Sequence, residues 1–156
     1  MNLLKIIALE PDDLGVISAH MQDAVIKIAD ISYSTKSRQF ILVANRFETE
    51  KTGDPKNANK SGYRRQTGVS FSQVNAVRSR RVRQDAGTAV LSLLAIEFIP
   101  GNATPDGVIR LTFSGDGSIE LDVECIEAQM EDLGPRWSTA NIPAHDLSDE
   151  SANEQE

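Results

Sequence analysis

Cysteine and histidine are scarce in this chain. Its 156 residues include one cysteine, Cys125, and two histidines, His20 and His145. A single thiol excludes an internal disulfide framework and any zinc site built from several thiolates. Two histidines far apart and one thiol also match no metal-ligand spacing. We therefore expect neither a metal site nor a cofactor.

Long apolar runs are also lacking. The N-terminal "MNLLKIIALEP" has too short an apolar run, interrupted by Lys5, for a signal peptide. No stretch approaches the roughly 18–20 apolar residues that a membrane span requires. The lone cysteine is compatible with a reducing compartment. The sequence thus predicts a soluble cytoplasmic protein without a membrane span.

Motifs for catalysis are missing as well. A nucleophile needs a base and an orienting acid, and Cys125 is better explained as a small half-buried side chain where the last strand becomes a helix. The glycine-rich "SGDGS" is explained by a hairpin turn, so it is no phosphate loop. We predict that the chain is not an enzyme. The alternative is an enzyme pocket in which Asn45, Arg46 and Tyr63 converge.

Charge is plentiful, and it is segregated. The net charge of −7 argues against a dedicated DNA-binding protein. The segment Tyr63–Arg83 nevertheless contains six arginines and no acidic residue: Arg64, Arg65, Arg78, Arg80, Arg81 and Arg83. The last fifteen residues contain five acidic groups and no lysine or arginine. Residues 145–156 are predicted to form a disordered acidic tail, and residues 1–144 a single globular domain.

A second acidic run lies between residues 120 and 132. Its members are Glu120, Asp122, Glu124, Glu127, Glu131 and Asp132. In principle such a run can hold a hard cation. We predict a solvated face instead, because Glu120 and Asp122 project from a strand while Glu127 and Glu131 lie one helical turn apart.

The N-terminal segment predicts a strand followed by a helix. Residues 3–9 are apolar, and Pro11 fits the first position of a helix, followed by Asp12 and Asp13 near the positive end of its dipole. The apolar face of this helix contains Leu14, Ile17 and Met21.

From Ala24 the hydrophobic period changes to two. The runs "AVIKIADISYS" and "RQFILVANRFE" predict a hairpin, and residues 63–71 and 74–82 predict two further strands that turn at Ser72 and Gln73. The run "TAVLSLLAIEFIP" predicts a strand covered on both faces, with a buried helix as the alternative.

The last predicted elements are a hairpin and a helix. In "VIRLTFSGDGSIELDVE", a three-residue loop over residues 115–117 would place Phe113 opposite Ile119 and Arg110 opposite Asp122, with Gly117 left-handed. The segment "ECIEAQMEDLGP" then predicts a short helix with Ile126, Met130 and Leu133 on one face, which ends at Gly134 and Pro135.

These elements predict a mainly antiparallel α+β fold. About seven strands, a short N-terminal helix and a C-terminal capping helix are the order of a pleckstrin-homology-like roll or sandwich. A plain antiparallel sheet with both helices on one face fits nearly as well.

Four stretches together resemble a bacterial protein family. These are "HMQDAVIKIADISY", "ANRFE", "VLSLLAIEF" and "LDVECIEAQMEDLGPRW", of which the last is the most specific. The chain is similar over residues 3–145 to domain of unknown function 2948, a family found mainly in alphaproteobacteria. The resemblance implies no activity, cofactor or catalytic residue for this chain.

The arginines are therefore the best candidates for a binding site. If residues 63–71 and 74–82 are hairpin neighbours, Arg64 and Arg65 lie close to Arg81 and Arg83 and form a basic strand edge. Because arginine binds carboxylates in bidentate fashion, the edge predicts docking of an unknown protein partner. A solvated edge, docking of the chain's own acidic tail, and binding of nucleic acid or another anion are the alternatives. Aromatic residues are too few beside the arginines to favour nucleic acid.

Overall fold

The computed structural model describes residues 3–49, 62–82, 89–134 and 137–138. The strands in this part of the chain are β1 (Lys5–Ala8), β2 (Val25–Ser34), β3 (Gln39–Thr49), β4 (Gly62–Phe71), β5 (Val74–Arg80), β6 (Val90–Pro100), β7 (Gly107–Phe113), β8 (Ser118–Val123), β9 (Ala128–Asp132) and β10 (Trp137–Ser138). Helix α1 spans Pro11–Met21, and a 3-10 turn spans Ser114–Asp116. The mainly antiparallel α+β class is confirmed, although the strands exceed the seven that were predicted. The predicted acidic tail lies outside the described residues.

All strand pairs are antiparallel. The order across the sheet is β1-β9-β4-β3-β2-β6-β7-β8-β5, and β10 pairs with β4 beyond the end of β9. In the described part of the chain, β1 and β5 are thus the two terminal strands.

The sheet is bent so that distant strands meet. Only Ser72 and Gln73 separate β4 from β5, yet β4 pairs with β3, β9 and β10 while β5 pairs with β8. Gln73 turns the corner with a left-handed φ of 60°. Across this corner, the Tyr33 hydroxyl donates to the Val74 carbonyl at 2.9 Å. The predicted hairpin between β4 and β5 is therefore wrong, because the chain leaves one half of the sheet for the other at this point.

Helix α1 covers the core as predicted. Pro11 occupies its start, Asp12 and Asp13 lie in its first turn, and its buried residues are Leu14, Ile17 and Met21. The backbone N–H of Ile96 in β6 donates to Ser18 Oγ at 2.9 Å and ties the helix to the sheet. Within the described residues, no helix is long and apolar enough to cross a membrane.

The predicted C-terminal capping helix is wrong, because this segment forms β9. Ala128, Met130 and Asp132 face inward with a period of two. β1 and β4 flank β9 and satisfy its backbone on both sides, which outweighs a local helical preference. The comparison with a pleckstrin-homology-like roll depended on that helix. Cys125 consequently lies between two strands and not at a helix N-terminus, and it is half-buried as expected.

The β7–β8 hairpin forms, with a different register from the predicted one. Leu111 lies opposite Ile119 and Arg110 opposite Glu120. Gly115 and Asp116 take the left-handed conformations, with φ of 81° and 68°, whereas Gly117 is extended. A shift of two residues keeps the same side chains on the buried face, so the apolar alternation does not distinguish the two registers.

The strand predicted for the most apolar run is also present as β6. Its burial is one-sided, since Leu93 and Ile96 are buried while Val90 and Leu94 are exposed. The expectation that both of its faces are covered is wrong. The core lies between α1 and the two halves of the bent sheet, and its largest fully buried side chains include Phe40, Phe71 and Phe113.

Candidate functional site

Strand β5 has one paired edge and one open edge. Its register with β8 runs from Val74 opposite Val123 to Arg80 opposite Ser118. On its other side, the Val74 N–H donates to the Arg38 carbonyl and the Val74 carbonyl accepts from Tyr33. Beyond Asn75, among the described residues, no strand other than β8 pairs with β5. The middle of β5 therefore offers backbone groups for another extended chain.

A cavity of about 300 Å³ lies between the open part of β5 and strand β2. Its lining is mainly apolar and comprises Ile28, Ile31, Ser32, Tyr33, Phe40, Val77, Ser79, Val82 and Ile119. A register shift between Ile26 and Ile31 separates part of β2 from its neighbour β3 at this point. The volume is at the lower end of the range of ligand pockets and suits one or two apolar side chains.

Two of the six predicted arginines lie in the sequence between the cavity residues Ser79 and Val82 and are open charges. Arg80 ends β5, and Arg81 follows it with a left-handed φ of 59°. Both are exposed, and neither forms an ion pair with a described residue. The ladder between β5 and β8 ends at Arg80, opposite Ser118.

Arg78, the other arginine of β5, already forms ion pairs. Arg78 Nη1 donates to Asp122 Oδ2 at 2.6 Å and Nη2 to Glu120 Oε1 at 3.2 Å, which raises the pKa of Arg78. Arg110 also donates to Glu120 at 3.0 Å, and together with Arg78 it lowers the pKa of that carboxyl group. Arg78 thus holds β5 against β8, and its charge is balanced within the sheet.

The remaining predicted site residues do not join this edge. Arg64 lies 5.3 Å over the ring of Phe47 on β3, and burial lowers its pKa. Arg65 is buried on the inner face of β4, with 5% of its surface exposed. Arg83 lies outside the described residues. The described residues therefore do not form the predicted basic edge of four to six arginines. Fewer arginines lie at the edge than expected.

A buried charge cluster lies in the other half of the sheet, on strands β3, β4 and β9. We use this name for Arg46, Glu48, Arg65, Thr67 and Asp132, which lie on three adjacent strands. Arg46 donates to both carboxylate oxygens of Asp132, at 3.1 and 3.0 Å, and Thr67 Oγ1 donates to Oδ1 at 2.8 Å. Arg65 Nε lies 3.5 Å from Asp132 and 3.6 Å from Glu48. Two guanidinium groups are thus balanced by two carboxylates.

Asp132 is the centre of this cluster, and its pKa is lowered. Burial raises the pKa and is the largest single influence, but hydrogen bonds from Arg46, the Leu4 N–H and Thr67 together outweigh it. Asp132 is 2% exposed, so its charge depends on these partners and not on water. We assign the cluster a structural role, because it fastens β9 to β3, β4 and the start of β1.

The lowered pKa of Asp132 predicts a pH-dependent stability. In the unfolded chain an aspartate has a pKa of about 3.9. The stabilisation by Asp132 is therefore complete well above that value and is lost as the pH falls through it towards the lower folded pKa. Urea unfolding at pH 7, 5, 4 and 3 measures this loss. We expect a shallower decline in the Asp132→Asn variant; a decline of equal slope would contradict this assignment.

The alternative enzyme pocket is not assembled from its three predicted residues. Asn45 and Arg46 are consecutive in β3, so their side chains project to opposite faces, and Arg46 belongs to the buried charge cluster. Within residues 3–49, 62–82, 89–134 and 137–138, no group of three histidine, cysteine, aspartate or glutamate side chains is placed to hold a metal ion.

The acidic run is only partly the predicted solvated face. Glu120, Asp122 and Glu124 pair with arginines at the surface, while Asp132 is buried. A signal for the buried cluster is present in the sequence. Arg46 continues the inward series Phe40, Leu42, Ala44, and Asp132 continues Ala128, Met130, so both charges stand at inward positions.

Comparison with known proteins adds a family. The model for a protein of unknown function, DUF2948, matches residues 4–145. The chain belongs to this family. No curated protein and no solved structure matches the DUF2948 chain. The family resemblance expected from the sequence is thus confirmed. The function of this DUF2948 member is inferred below from its own geometry.

Proposed function

We propose that this DUF2948 protein is a non-catalytic protein-binding module that takes up an extended acidic segment of a partner protein at the open edge of β5. The observation that carries the proposal is the juxtaposition of three features: a strand edge beside which no described strand pairs, an apolar cavity, and two arginines without an ion pair to a described residue. Each feature matches one part of such a ligand.

In this mode the ligand adds as a strand beside β5. Backbone hydrogen bonds supply affinity that is independent of sequence, while alternate side chains of the ligand face the protein. One apolar side chain enters the cavity between Val77 and Ile31. Carboxylates on the ligand then meet Arg80 and Arg81, whose guanidinium groups bind them in bidentate fashion and attract an acidic partner before contact.

Nucleic acid is the second candidate for the same arginines. Arg78 is neutralised by two carboxylates and Arg65 is buried, which leaves Arg80 and Arg81, at and directly after the end of β5, as the open cations of this edge in the described part of the chain. Two phosphate contacts give a salt slope of only about −2. The acidic chain as a whole also opposes binding to phosphate, so protein docking is the better-supported function.

Two further features belong to this proposal. We propose a roll-like arrangement of the sheet. The hydrogen bonds that join its two halves support it: Tyr33 bonds to Val74, and Arg38 bonds to Gln73 and Asn75. We also place the module in the cytoplasm, on the ground that its lone cysteine suits a reducing compartment.

A random library of displayed 12-residue peptides tests the function. Selection on the purified full chain should enrich peptides in which an apolar residue is flanked by Asp or Glu. A synthetic peptide of the enriched sequence should bind at least about tenfold more weakly to the Arg80→Glu/Arg81→Glu variant, because two attractive charge pairs become repulsive. Fluorescence anisotropy measures the affinity, and amide chemical shifts locate the peptide.

A matched control separates local from global charge. The Lys5→Glu/Val16→Glu/Gln22→Glu variant changes the net charge equally, at exposed positions in β1, in α1 and directly after α1, and should bind the peptide as the wild type does. Equal losses in both variants would reduce the effect to net charge. Peptide-induced shifts confined to strands other than β5, β2 and β8 would contradict the proposal.

A further inference from the structure

The opposite end of the sheet has a second open edge with a different character. Strand β1 pairs with β9 alone among the described strands. Large apolar side chains are exposed at this edge: Leu3 by 47%, Ile7 by 57% and Leu9 by 62%. Leu133, next to β9, is exposed by 50%. A terminal strand that carries exposed apolar residues is a site for pairing with another strand.

The backbone of β1 shows which residues are open to such pairing. The Asp132 N–H donates to the Leu4 carbonyl at 2.9 Å, and the Leu4 N–H donates to Asp132 Oδ2 at 2.9 Å. Leu4 therefore directs both backbone groups towards β9. Because hydrogen-bonding direction alternates along an antiparallel strand, Ile6 and Ala8 do the same, while Lys5 and Ile7 direct theirs away from the sheet.

Self-pairing of β1 is possible in few registers. The outward-directed residues must face each other across a two-fold axis. If Lys5 and Ile7 both pair within residues 3–9, Lys5 lies opposite Lys5, Ile7 or Leu9 of a second copy. The first register opposes two lysines. The third shortens the ladder, because it places Pro11, which has no N–H to donate, opposite Leu3.

The remaining register is self-complementary. It centres on Ile6 and places Lys5 opposite Ile7, and Leu3 opposite Leu9, of the second copy. All four side chains lie on one face of the ladder, so the apolar residues cover each other. Lys5 also lies opposite Glu131 within its own sheet. The register therefore places an apolar residue on one side of Lys5 and a carboxylate residue on the other, and no two like charges lie opposite each other.

We propose that two copies of this chain associate through β1 in this register and form a sheet that is continuous across the two-fold axis. The exposed parts of three apolar side chains, Leu3, Ile7 and Leu9, offer much less than the ~800 Å² per partner of a standard stable interface. The dimer is therefore weak and depends on protein concentration. It uses the edge opposite β5, so the peptide site proposed above stays open in both copies.

Sedimentation velocity on the full chain, over about two orders of magnitude of concentration around the micromolar range, tests the dimer. The wild type should shift from monomer to dimer. Ile7→Lys places lysine opposite the Lys5 of the second copy twice, whereas Ile7→Glu places glutamate there twice. Ile7→Lys should therefore dimerise at least about tenfold more weakly than Ile7→Glu.

This pair of variants removes the same apolar side chain and is sensitive to register. Because the chain carries −7, repulsion between whole molecules would favour the opposite order, with Ile7→Lys associating more strongly. Leu94→Lys and Leu94→Glu, at an exposed leucine of β6, should dimerise like the wild type and with no such difference. A monomeric wild type at every concentration, or equal association of Ile7→Lys and Ile7→Glu, would overturn the proposal.

Discussion

Replacement of Asp132 by asparagine should lower the free energy of unfolding by ~3–5 kcal/mol, which is the cost of leaving a buried charge without its partner. The asparagine side chain fits the space but removes the negative charge that faces Arg46 and Arg65. The side chains of these two arginines are 3% and 6% exposed, so water cannot take over the role of the carboxylate. Glu48 alone then balances two guanidinium groups.

Chemical denaturation of three variants isolates this effect. Glu131→Gln neutralises the adjacent exposed carboxylate of β9 and should change the free energy of unfolding by less than about 0.5 kcal/mol. A third variant, Arg46→Met/Glu48→Gln/Arg65→Met/Asp132→Leu, removes both cations and both carboxylates of the cluster and should lose less stability than Asp132→Asn alone, because no charge of the cluster is left unbalanced. A loss from Asp132→Asn as small as that from Glu131→Gln would show that the cluster is hydrated.

Local patterns predicted most of the individual elements. Pro11 followed by two aspartates defined the start of α1, and the alternation in β2, β3, β7 and β8 defined these strands. In each case the local preference and the tertiary environment agree. Where the two agree, the secondary structure of a short segment can be predicted without knowledge of the strands or helices that contact it.

The errors arose where two periods coincide or where the partner strand is distant. Ile126, Met130 and Leu133 have helical spacing, but Ala128, Met130 and Asp132 have the spacing of a strand. The strand spacing was not recognised in the sequence, because its last member, Asp132, is charged and a charged residue is not expected at an inward position. Only the pairing of this segment with β4 and with β1, both distant in the chain, decides for the strand.

The candidate site was predicted in part for the same reason. The sequence alone predicts a strand edge that contains Arg78, Arg80 and Arg81. Which strands flank that edge depends on long-range pairing, so Arg65 was assigned to the surface although it is buried. The cavity depends on the meeting of β2 and β5, and no local pattern in either strand signals it.

The second large effect on stability is expected at the corner between β4 and β5, which sets the position of β5. Phe71 is fully buried at the end of β4, opposite Phe40 on β3 and Ala128 on β9. Its ring centroid lies 6.1 Å from that of Phe40, with the planes inclined by 50°. Phe71→Ala should lower the free energy of unfolding by ~3–5 kcal/mol, through lost burial and the cavity that remains. Leu94→Ala, at a half-exposed position of β6, should cost less than about 1 kcal/mol.

Phe71→Ala should also act on the edge itself. The Val74 N–H, which donates to the Arg38 carbonyl, lies three residues after the ring. Loss of the ring frees the corner, so hydrogen exchange at Val74 should accelerate more than exchange at Leu111 in the middle of β7. Equal acceleration at both amides would mean that the corner opens only when the whole domain unfolds. In that case the β5 edge is as rigid as the core, and a ligand strand meets a preformed partner.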